Sequence, residues 1–223
     1  MKTKILIFLI ILFPQICFAQ SAGVMQKVLK ADRTQGYALL LPRKYTAENK
    51  YPLFIAIHWH QGTAIQQIDE WRFLAQKNEY ILVCPQFNEG YQSLQGRQEQ
   101  NLKEIIAEVE NEFSVDENRI FLVGFSGGAQ FALRFAYRNH FLKAACILSA
   151  GTIDSPPSEP SAKSVKYFVG VGEKDERYGL AKKLYNLLKK RGYEVTFKSF
   201  PLVGHAIHSS IKSAVIDFLN SIS

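Results

Sequence analysis

A glycine-rich stretch near the middle of the chain places one serine where a nucleophile would stand. The residues Gly124-Phe125-Ser126-Gly127-Gly128 follow an apolar run and precede a helical pattern, so they match G-x-S-x-G at a strand-turn-helix junction. Such a turn strains the backbone of the serine, and a side chain at position 124 or 128 would collide with the neighbouring strand and helix. The pattern predicts that Ser126 is a catalytic nucleophile.

Two histidines near the C-terminus are candidates for the base that would activate this serine. A serine hydroxyl needs an imidazole to remove its proton, and the imidazole needs a carboxylate to orient it and to stabilise its cation. His205 is the predicted base, because it lies between the last strand-like run and the last helical pattern. His208 is the alternative, and we expect it to be an accessory or surface residue.

Three acidic residues in one loop compete for the role of the carboxylate. Glu173, Asp175 and Glu176 follow the strand-like run that ends near Val171. The shorter side chain of Asp175 suits a fixed hydrogen bond, whereas we expect the two glutamates to be solvated. The predicted chain order is therefore nucleophile, acid and base, with Asp175 as the acid.

Main-chain N–H groups would have to stabilise the oxyanion that forms during acyl transfer. The residue after the nucleophile, Gly127, is the first predicted donor. The second would come from the loop that follows an earlier strand, through the N–H of Trp59 or His60, with His60 favoured. His58 and His60 also have a spacing that would suit a metal, but no third ligand is visible, so we expect no metal site.

Three aromatic residues near these loops are candidates for contact with a substrate. Phe125 and Trp59 are adjacent to the predicted nucleophile and oxyanion donors, and Tyr91 lies in a loop after the carboxyl end of a strand, where sites of open sheets gather. Each of the three is equally compatible with ordinary packing.

Short apolar runs alternate along the chain with longer amphipathic segments. The runs lack alternation of apolar and polar residues, which is typical of strands covered on both faces. Helical spacing separates most of them and predicts a mostly parallel sheet with helices on both faces, although three prolines disfavour a long helix between Ala150 and Lys163. The strand-like runs are Val24–Ala31, Tyr37–Leu41, Leu53–His58, Tyr80–Cys84, Arg119–Phe125, Ala144–Ser149, Val165–Val171 and Glu194–Phe200.

The overall composition excludes several classes of protein. Of the 223 residues, 47% are apolar and 21% are charged, which excludes disordered and collagen-like chains. The formal net charge of +7 lies largely in clusters such as Lys189-Lys190-Arg191. A nucleic-acid surface would need a broader basic stripe with interleaved aromatic residues, so we expect no nucleic-acid partner.

Residues 1–19 have the layout of a secretory signal peptide. Two lysines lead into the apolar run Ile5–Phe13, and Ala19 ends the segment. The run is shorter than the roughly 20 residues that span a bilayer. We therefore expect an exported, periplasmic or extracellular protein without stable membrane insertion, whose single domain covers residues 20–223. A lipid anchor on Cys17 is the competing interpretation, but the residue before it is not small.

The exported part of the sequence resembles the α/β-hydrolase superfamily. More narrowly, Ser114–Gly128, Gly172–Arg177 and Val203–His205 are similar to small exported esterases related to polyhydroxybutyrate depolymerases and feruloyl esterases. The resemblance implies an eight-stranded sheet, a Ser-Asp-His triad and cofactor-free hydrolysis of carboxylic esters. The chain departs from these esterases where Trp59 replaces a glycine of the oxyanion loop, and in having little or no cap.

The same resemblance addresses the two cysteines of the exported part, Cys84 and Cys146. The strand order of the superfamily would place their strands three positions apart, about 14 Å at about 4.8 Å per strand. A disulfide requires Cα atoms within roughly 7 Å of each other, so the resemblance implies two free buried thiols.

The sequence thus predicts a serine esterase that acts on a small or polymeric ester. A peptidase or thioesterase of the same fold is the alternative, because all three reactions are acyl transfers. A non-catalytic binding domain on a hydrolase scaffold is the third hypothesis, and its signature would be a missing triad member. The sequence does not indicate an oligomeric state.

Overall fold

The structure is a computed structural model that describes residues 23–87, 97–158 and 163–222. The predictions for the leader at residues 1–19 and for Tyr91 concern residues outside these ranges. Within them, eight strands and five helices alternate along the chain. They are β1 (Met25–Val28), β2 (Gly36–Leu40), β3 (Tyr51–Ile57), α1 (Ala64–Lys77), β4 (Ile81–Gln86), α2 (Arg97–Glu112), β5 (Val115–Phe125), α3 (Gly127–Arg138), β6 (Ala144–Leu148), β7 (Lys166–Gly172), α4 (Tyr178–Lys190), β8 (Val195–Phe200) and α5 (Ser209–Ser221).

All eight strands belong to one sheet with the order β1-β2-β4-β3-β5-β6-β7-β8. The pairs from β4 to β8 are parallel, whereas β2 is antiparallel to both β1 and β4. The predicted mostly parallel, eight-stranded α/β architecture is therefore confirmed. The carboxyl ends of the parallel strands meet at one edge of the sheet, which is where loops that carry a site gather.

Helices cover both faces of the sheet, as the unbroken apolar runs predicted. In β3, Leu53, Ile55 and Ile57 belong to one buried cluster and Phe54 and Ala56 to the other, because successive side chains of a strand point to opposite faces. The first cluster packs under α2, α3 and α4, and the second under α1 and α5. No helix within the described ranges is both long and apolar enough to cross a membrane.

Every strand differs by at least one residue from its predicted run, and three of the differences affect how the strands pair or where the site loops begin. Strand β1 is shorter than the predicted run Val24–Ala31, and β3 ends one residue before His58. Strand β5 begins at Val115 rather than at Arg119, because its first residues pair with the start of β3 before a register shift. The consecutive polar and charged residues Asp116–Arg119 hide that pairing from the sequence.

The two cysteines are free and fully buried, which confirms the prediction of two unpaired thiols. Cys84 lies on β4 and Cys146 on β6, and the sheet places β3 and β5 between them. Burial raises the pKa of both thiols, because it disfavours the charged thiolate. Both cysteines therefore act as small packing residues.

Candidate active site

Ser126 occupies the junction between β5 and α3 with a strained backbone. Its φ of 57° and ψ of −117° lie in a region that residues with a side chain rarely adopt. The strain is possible because the surrounding elements approach closely through glycines. A Cβ on Gly124 would lie 2.2 Å from the carbonyl oxygen of Gly128, and a Cβ on Gly128 would lie 2.5 Å from that of His58. The helix, the turn and β3 therefore hold Ser126 in place together.

The structure brings the three predicted catalytic side chains together, although they come from three separate loops. The Nε2 atom of His205 lies 3.1 Å from Oγ of Ser126, and its Nδ1 atom lies 2.8 Å from Oδ2 of Asp175. The Asp175 side chain is fully buried, whereas that of His205 is one-third exposed. A buried acid, a partly exposed base and a hydroxyl in this order can transfer a proton from the hydroxyl to the imidazole.

The surroundings of Asp175 favour its ionised form. Burial raises the pKa of this carboxyl, but hydrogen bonds lower it by more, so that the pKa lies below its ordinary value of 3.8. The donors include the main-chain N–H of Arg177, 2.9 Å from Oδ1, and the ring of His205. An ionised carboxylate accepts the Nδ1 proton of His205 and leaves Nε2 as the acceptor that faces Ser126.

The loops that carry Asp175 and His205 are fastened to each other through Gly172. A Cβ on this residue would lie 2.2 Å from the carbonyl oxygen of Val203. The N–H of Lys174 donates to the same carbonyl at 2.9 Å, and that of Glu173 donates to the carbonyl of Phe200. The acid and the base thus keep their spacing because two backbones touch where only glycine fits.

The candidate oxyanion donors belong to loops next to Ser126. Within the described ranges, the main-chain N–H groups of Gly127, Trp59 and His60 donate to no protein acceptor. Gly127 begins α3, where the first N–H groups of a helix have no partner within the helix, and Trp59 and His60 line a cavity beside Ser126. Among the described residues, none therefore occupies the N–H of Gly127 or that of the two alternatives for the second donor, Trp59 and His60.

His58 has a structural role in the loop that carries Trp59 and His60. The ring is buried, its Nδ1 atom lies 2.8 Å from the carbonyl oxygen of Trp59, and its Nε2 atom accepts from the N–H of Phe87 at 3.1 Å. Burial lowers its pKa, so the ring is neutral and Nδ1 carries the proton. Among the described residues, no group of three His, Cys, Asp or Glu side chains is placed to hold a metal.

A cavity of about 440 Å³ opens beside the nucleophile. Phe125 is buried and its ring centroid lies 4.7 Å from that of His205, while Trp59 meets Phe125 edge to face at 6.5 Å. Both predicted aromatic contacts therefore reach the site, and the third, Tyr91, lies outside the described residues. The lining consists of Trp59, His60, Glu70, Phe125, Ser126, His205, Ala206 and Ile207.

The other predicted residues of the loops that carry Asp175 and His205 are exposed as expected, but one further residue reaches Ser126. The expected exposure of Glu173 and Glu176 holds, and His208 is exposed as the N-cap of α5. Arg177 is the residue that sequence reasoning missed, since its Nη1 atom donates to Oγ of Ser126 at 2.7 Å. The available signal was its position two residues after Asp175, in the same loop.

A comparison with protein families finds one match that covers most of the chain. The family model described as Phospholipase/Carboxylesterase matches residues 85–223. That segment includes Ser126, Asp175 and His205 and leaves out the loop with Trp59 and His60.

Similar proteins and structures are esterases by their names. The chain is 30% identical over 127 residues to a probable feruloyl esterase C of Aspergillus oryzae, a match that covers 52% of this chain and 47% of that protein. The chain thus spans about half the length of the curated relatives it matches. A solved ferulic acid esterase shares the fold with a TM-score of 0.74 at 18% identity, over 90% of this chain and 98% of that one. A mutant feruloyl esterase module from Clostridium thermocellum, complexed with sinapinate, gives 0.73 at 16%, over 91% and 88%.

Proposed function

The chain belongs to the phospholipase/carboxylesterase family, and we propose from that premise that it hydrolyses carboxylic esters through an acyl-enzyme on Ser126. The observation that carries the proposal is the continuous hydrogen-bonded path from Ser126 Oγ through His205 to Asp175. In the first step Oγ attacks the ester carbonyl while Nε2 of His205 takes the hydroxyl proton. Asp175 holds the ring in the required tautomer and stabilises its cation.

The carbonyl oxygen becomes an oxyanion in this step and needs donors that are in place beforehand. We assign this role to the main-chain N–H of Gly127 and to that of His60 or Trp59, which donate to no other group in the described part of the chain. Collapse of the tetrahedral intermediate breaks the bond to the alcohol, which leaves with the proton held by His205. Water then attacks the acyl-enzyme, gives its proton to His205, and releases the acid as Oγ is reprotonated.

Replacement of the nucleophile tests the proposal. Ser126→Ala is expected to lower kcat for p-nitrophenyl acetate by at least about a thousandfold, because it removes the attacking atom. A fluorophosphonate should label the wild type at Ser126 and leave the variant unlabelled. Ser221→Ala is the matched control, since within the described part of the chain that hydroxyl donates only to the carbonyl oxygen of Phe218, at the end of α5. Unchanged hydrolysis by Ser126→Ala, or absence of labelling of the wild type, would contradict the proposal. A wild type that neither hydrolyses the ester nor reacts with the fluorophosphonate would favour a binding domain.

The acyl and alcohol groups of the substrate are open to a direct comparison. A panel of acetyl, feruloyl and hydroxybutyrate esters, thioesters and aminoacyl amides distinguishes an esterase from a thioesterase or peptidase. The names of the similar proteins favour the feruloyl esters, and the cavity beside Ser126, lined by aromatic residues, suits a planar acyl group. Preference for an amide over the matched ester would replace the esterase assignment.

We also propose that the chain is exported, on the basis of the leader pattern in residues 1–19. Expression of the full chain with its leader should give a mature protein that begins at Gln20 and lies outside the cytoplasm. N-terminal sequencing and the intact mass measure this outcome. A protein that keeps residues 1–19 in the cytoplasm would contradict it.

A further inference from the structure

The guanidinium of Arg177 lies against the nucleophile in a position that the esterase mechanism does not use. Its Nη1 atom donates to Oγ of Ser126 at 2.7 Å and to the carbonyl oxygen of Ser149 at 3.2 Å. The side chain is only 24% exposed, so part of its charge has been removed from water. Acyl transfer requires a neutral hydroxyl and an imidazole at this place, and neither needs a permanent cation as a neighbour.

Most of the bonding capacity of this guanidinium remains unused. A guanidinium carries five N–H donors in a planar fork that matches a carboxylate. Within the described ranges, its Nε and Nη2 atoms donate no hydrogen bond, and the nearest carboxylate, that of Glu176, lies 3.8 Å from Nε with an 81% exposed side chain. Asp175 accepts from the main-chain N–H of Arg177, not from its guanidinium.

A second donor group lies next to the guanidinium. The ideal Cβ position of Gly151 lies 2.7 Å from Nε2 of Gln130 and 3.4 Å from Nη1 of Arg177. The amide of Gln130 and the guanidinium of Arg177 therefore both lie against Gly151, where a side chain would collide with the amide. Gln130 lies one turn into α3, the helix that begins beside Ser126.

We propose that Arg177, together with Gln130, binds a carboxylate that the ester substrate carries close to its scissile carbonyl. This inference rests on the esterase function proposed above and adds the substrate class: esters with a negative charge on the acyl or the alcohol part. The bidentate geometry of a guanidinium selects a planar carboxylate, and charge-assisted bonds are about twice as strong as neutral ones.

The distance between Arg177 and Ser126 limits the length of the substrate between its two polar groups. Nη1 of the guanidinium lies 2.7 Å from Oγ, so a carboxylate bound to the unused Nη2 at about 2.8 Å lies within several ångströms of Oγ. A spacer of about two carbons to the scissile carbonyl fits this separation. Arg177, Gln130 and Gly151 are not among the residues that line the aromatic cavity. The rest of the substrate therefore has separate space beside Phe125.

Binding of the carboxylate would also release the nucleophile. An electron pair of Oγ that accepts a hydrogen bond from Arg177 is held away from the carbonyl carbon. A substrate carboxylate is a stronger acceptor than a neutral hydroxyl and draws the guanidinium to itself. A charged substrate thus removes a hydrogen bond that a neutral ester leaves in place.

Matched pairs of charged and neutral esters test the inference. The acyl-side pair is monoethyl succinate and diethyl succinate, and the alcohol-side pair is 3-acetoxypropionate and its methyl ester. The wild type should show a higher kcat/KM for the charged member of one pair. Arg177→Met should lower the charged-to-neutral ratio of that pair by about tenfold to a hundredfold, and Arg177→Lys should restore part of it. A titrimetric assay at constant pH measures all four esters.

The matched control is Arg134→Met. This residue lies one turn after Gln130 on α3 and pairs with Asp154, so its loss removes an equal charge without contact with Ser126. The control should keep the wild-type ratio. The inference would be overturned if Arg177→Met changed the charged-to-neutral ratio by less than twofold, or if the wild type favoured the neutral ester in both pairs. The proposed function would remain supported in either case, provided that the wild type hydrolyses the neutral esters.

A binding measurement separates the inference from catalysis. Calorimetric titration of Ser126→Ala with monoethyl succinate and with 3-acetoxypropionate should give a dissociation constant that rises at least tenfold when Arg177→Met is added. Equal binding by the single and double variants would overturn the inference. If the wild type hydrolysed no ester but the two charged esters still bound in a way that depends on Arg177, the proposed function would be rejected and the carboxylate site retained.

Discussion

Asp175 and Arg177 lie two residues apart in one loop, yet they are connected to Ser126 in different ways: Asp175 through the ring of His205, and Arg177 directly. The carboxylate of Asp175 is fully buried, and both of its oxygens accept hydrogen bonds from the protein. The guanidinium of Arg177 is partly exposed and, among the described residues, donates from one of its three nitrogens. A group whose bonds are completed by the protein is fixed before the substrate arrives, whereas a group with spare donors is completed by the ligand. Asp175 should therefore contribute to the hydrolysis of every ester, whereas Arg177 should affect charged and neutral esters differently.

The largest test of this contrast is Asp175→Asn. The amide keeps the shape but favours the wrong tautomer of His205, so kcat should fall by about ten-thousand-fold. Because the acid does not touch the substrate, charged and neutral esters should lose the same factor, unlike the selective loss expected for Arg177→Met. Steady-state kinetics on both kinds of ester measure it. Asp69→Asn is the control, since that exposed carboxylate pairs only with Arg72; a loss confined to charged esters would erase the contrast.

A smaller effect is expected from the contact that sets the distance between acid and base. Gly172→Ala would force a Cβ to 2.2 Å from the carbonyl of Val203, which should cost about 1–3 kcal/mol of stability and displace the His205 loop, so that kcat falls for every ester. Gly179→Ala in α4 is the matched control, because its Cβ would meet nothing within 4 Å. That variant should gain about 0.5–1 kcal/mol. Chemical denaturation and kinetics measure both, and a stable, fully active Gly172→Ala enzyme would show that the loops are held by other contacts.

The smallest expected effect is on stability and concerns His58, which holds the loop with Trp59 and His60, a loop separate in the chain from that of Asp175 and Arg177. Burial lowers the pKa of this ring below its ordinary value of 6.5, so the unfolded chain binds the proton more readily than the folded one. Stability is therefore complete above about pH 6.5 and falls as the pH drops below that value, where a protonated Nε2 would face the N–H of Phe87.

His58→Gln removes this titration, and its free energy of unfolding should depend less steeply on pH between 7 and 5 than that of the wild type. His208→Gln replaces an exposed histidine and should keep the wild-type slope. Denaturation at several pH values measures the difference. Equal slopes for the wild type and His58→Gln would mean that the ring titrates alike in both states.

The fold was predictable because it depends on patterns that repeat along the chain. Unbroken apolar runs such as Leu53–Ile57 are typical of strands covered on both faces, and the inner strands β3, β4 and β6 are buried almost throughout. The edge strands β1 and β8 instead alternate between partly buried and exposed residues. The boundaries were less predictable where tertiary pairing overrides local pattern. The charged residues at the start of β5 do not look like a strand, yet they pair with β3 across a register shift.

The candidate site was predictable where chemistry demands a particular residue type at a particular turn. Ser126 is recognisable from the glycines that its turn requires, and these glycines are close to the backbones of α3 and β3. Arg177 could not be recognised in the same way, because an arginine in a charged loop is typical of a solvated surface. Its contact with Ser126 depends on how β5, β6 and β7 lie side by side, which no local pattern encodes.

The sequence by itself predicted which residues would serve as nucleophile, acid and base, since each candidate stands at the carboxyl end of a strand in a pattern set by backbone geometry and covalent order. Only the tertiary structure decided how these groups are surrounded. It buried Asp175, left His205 partly exposed, and brought a guanidinium with unused donors to 2.7 Å from Oγ. The physical reason is that reaction type depends on the identity of three side chains, whereas selectivity depends on distances between loops that lie 51 residues apart in the chain and become neighbours only in the folded sheet.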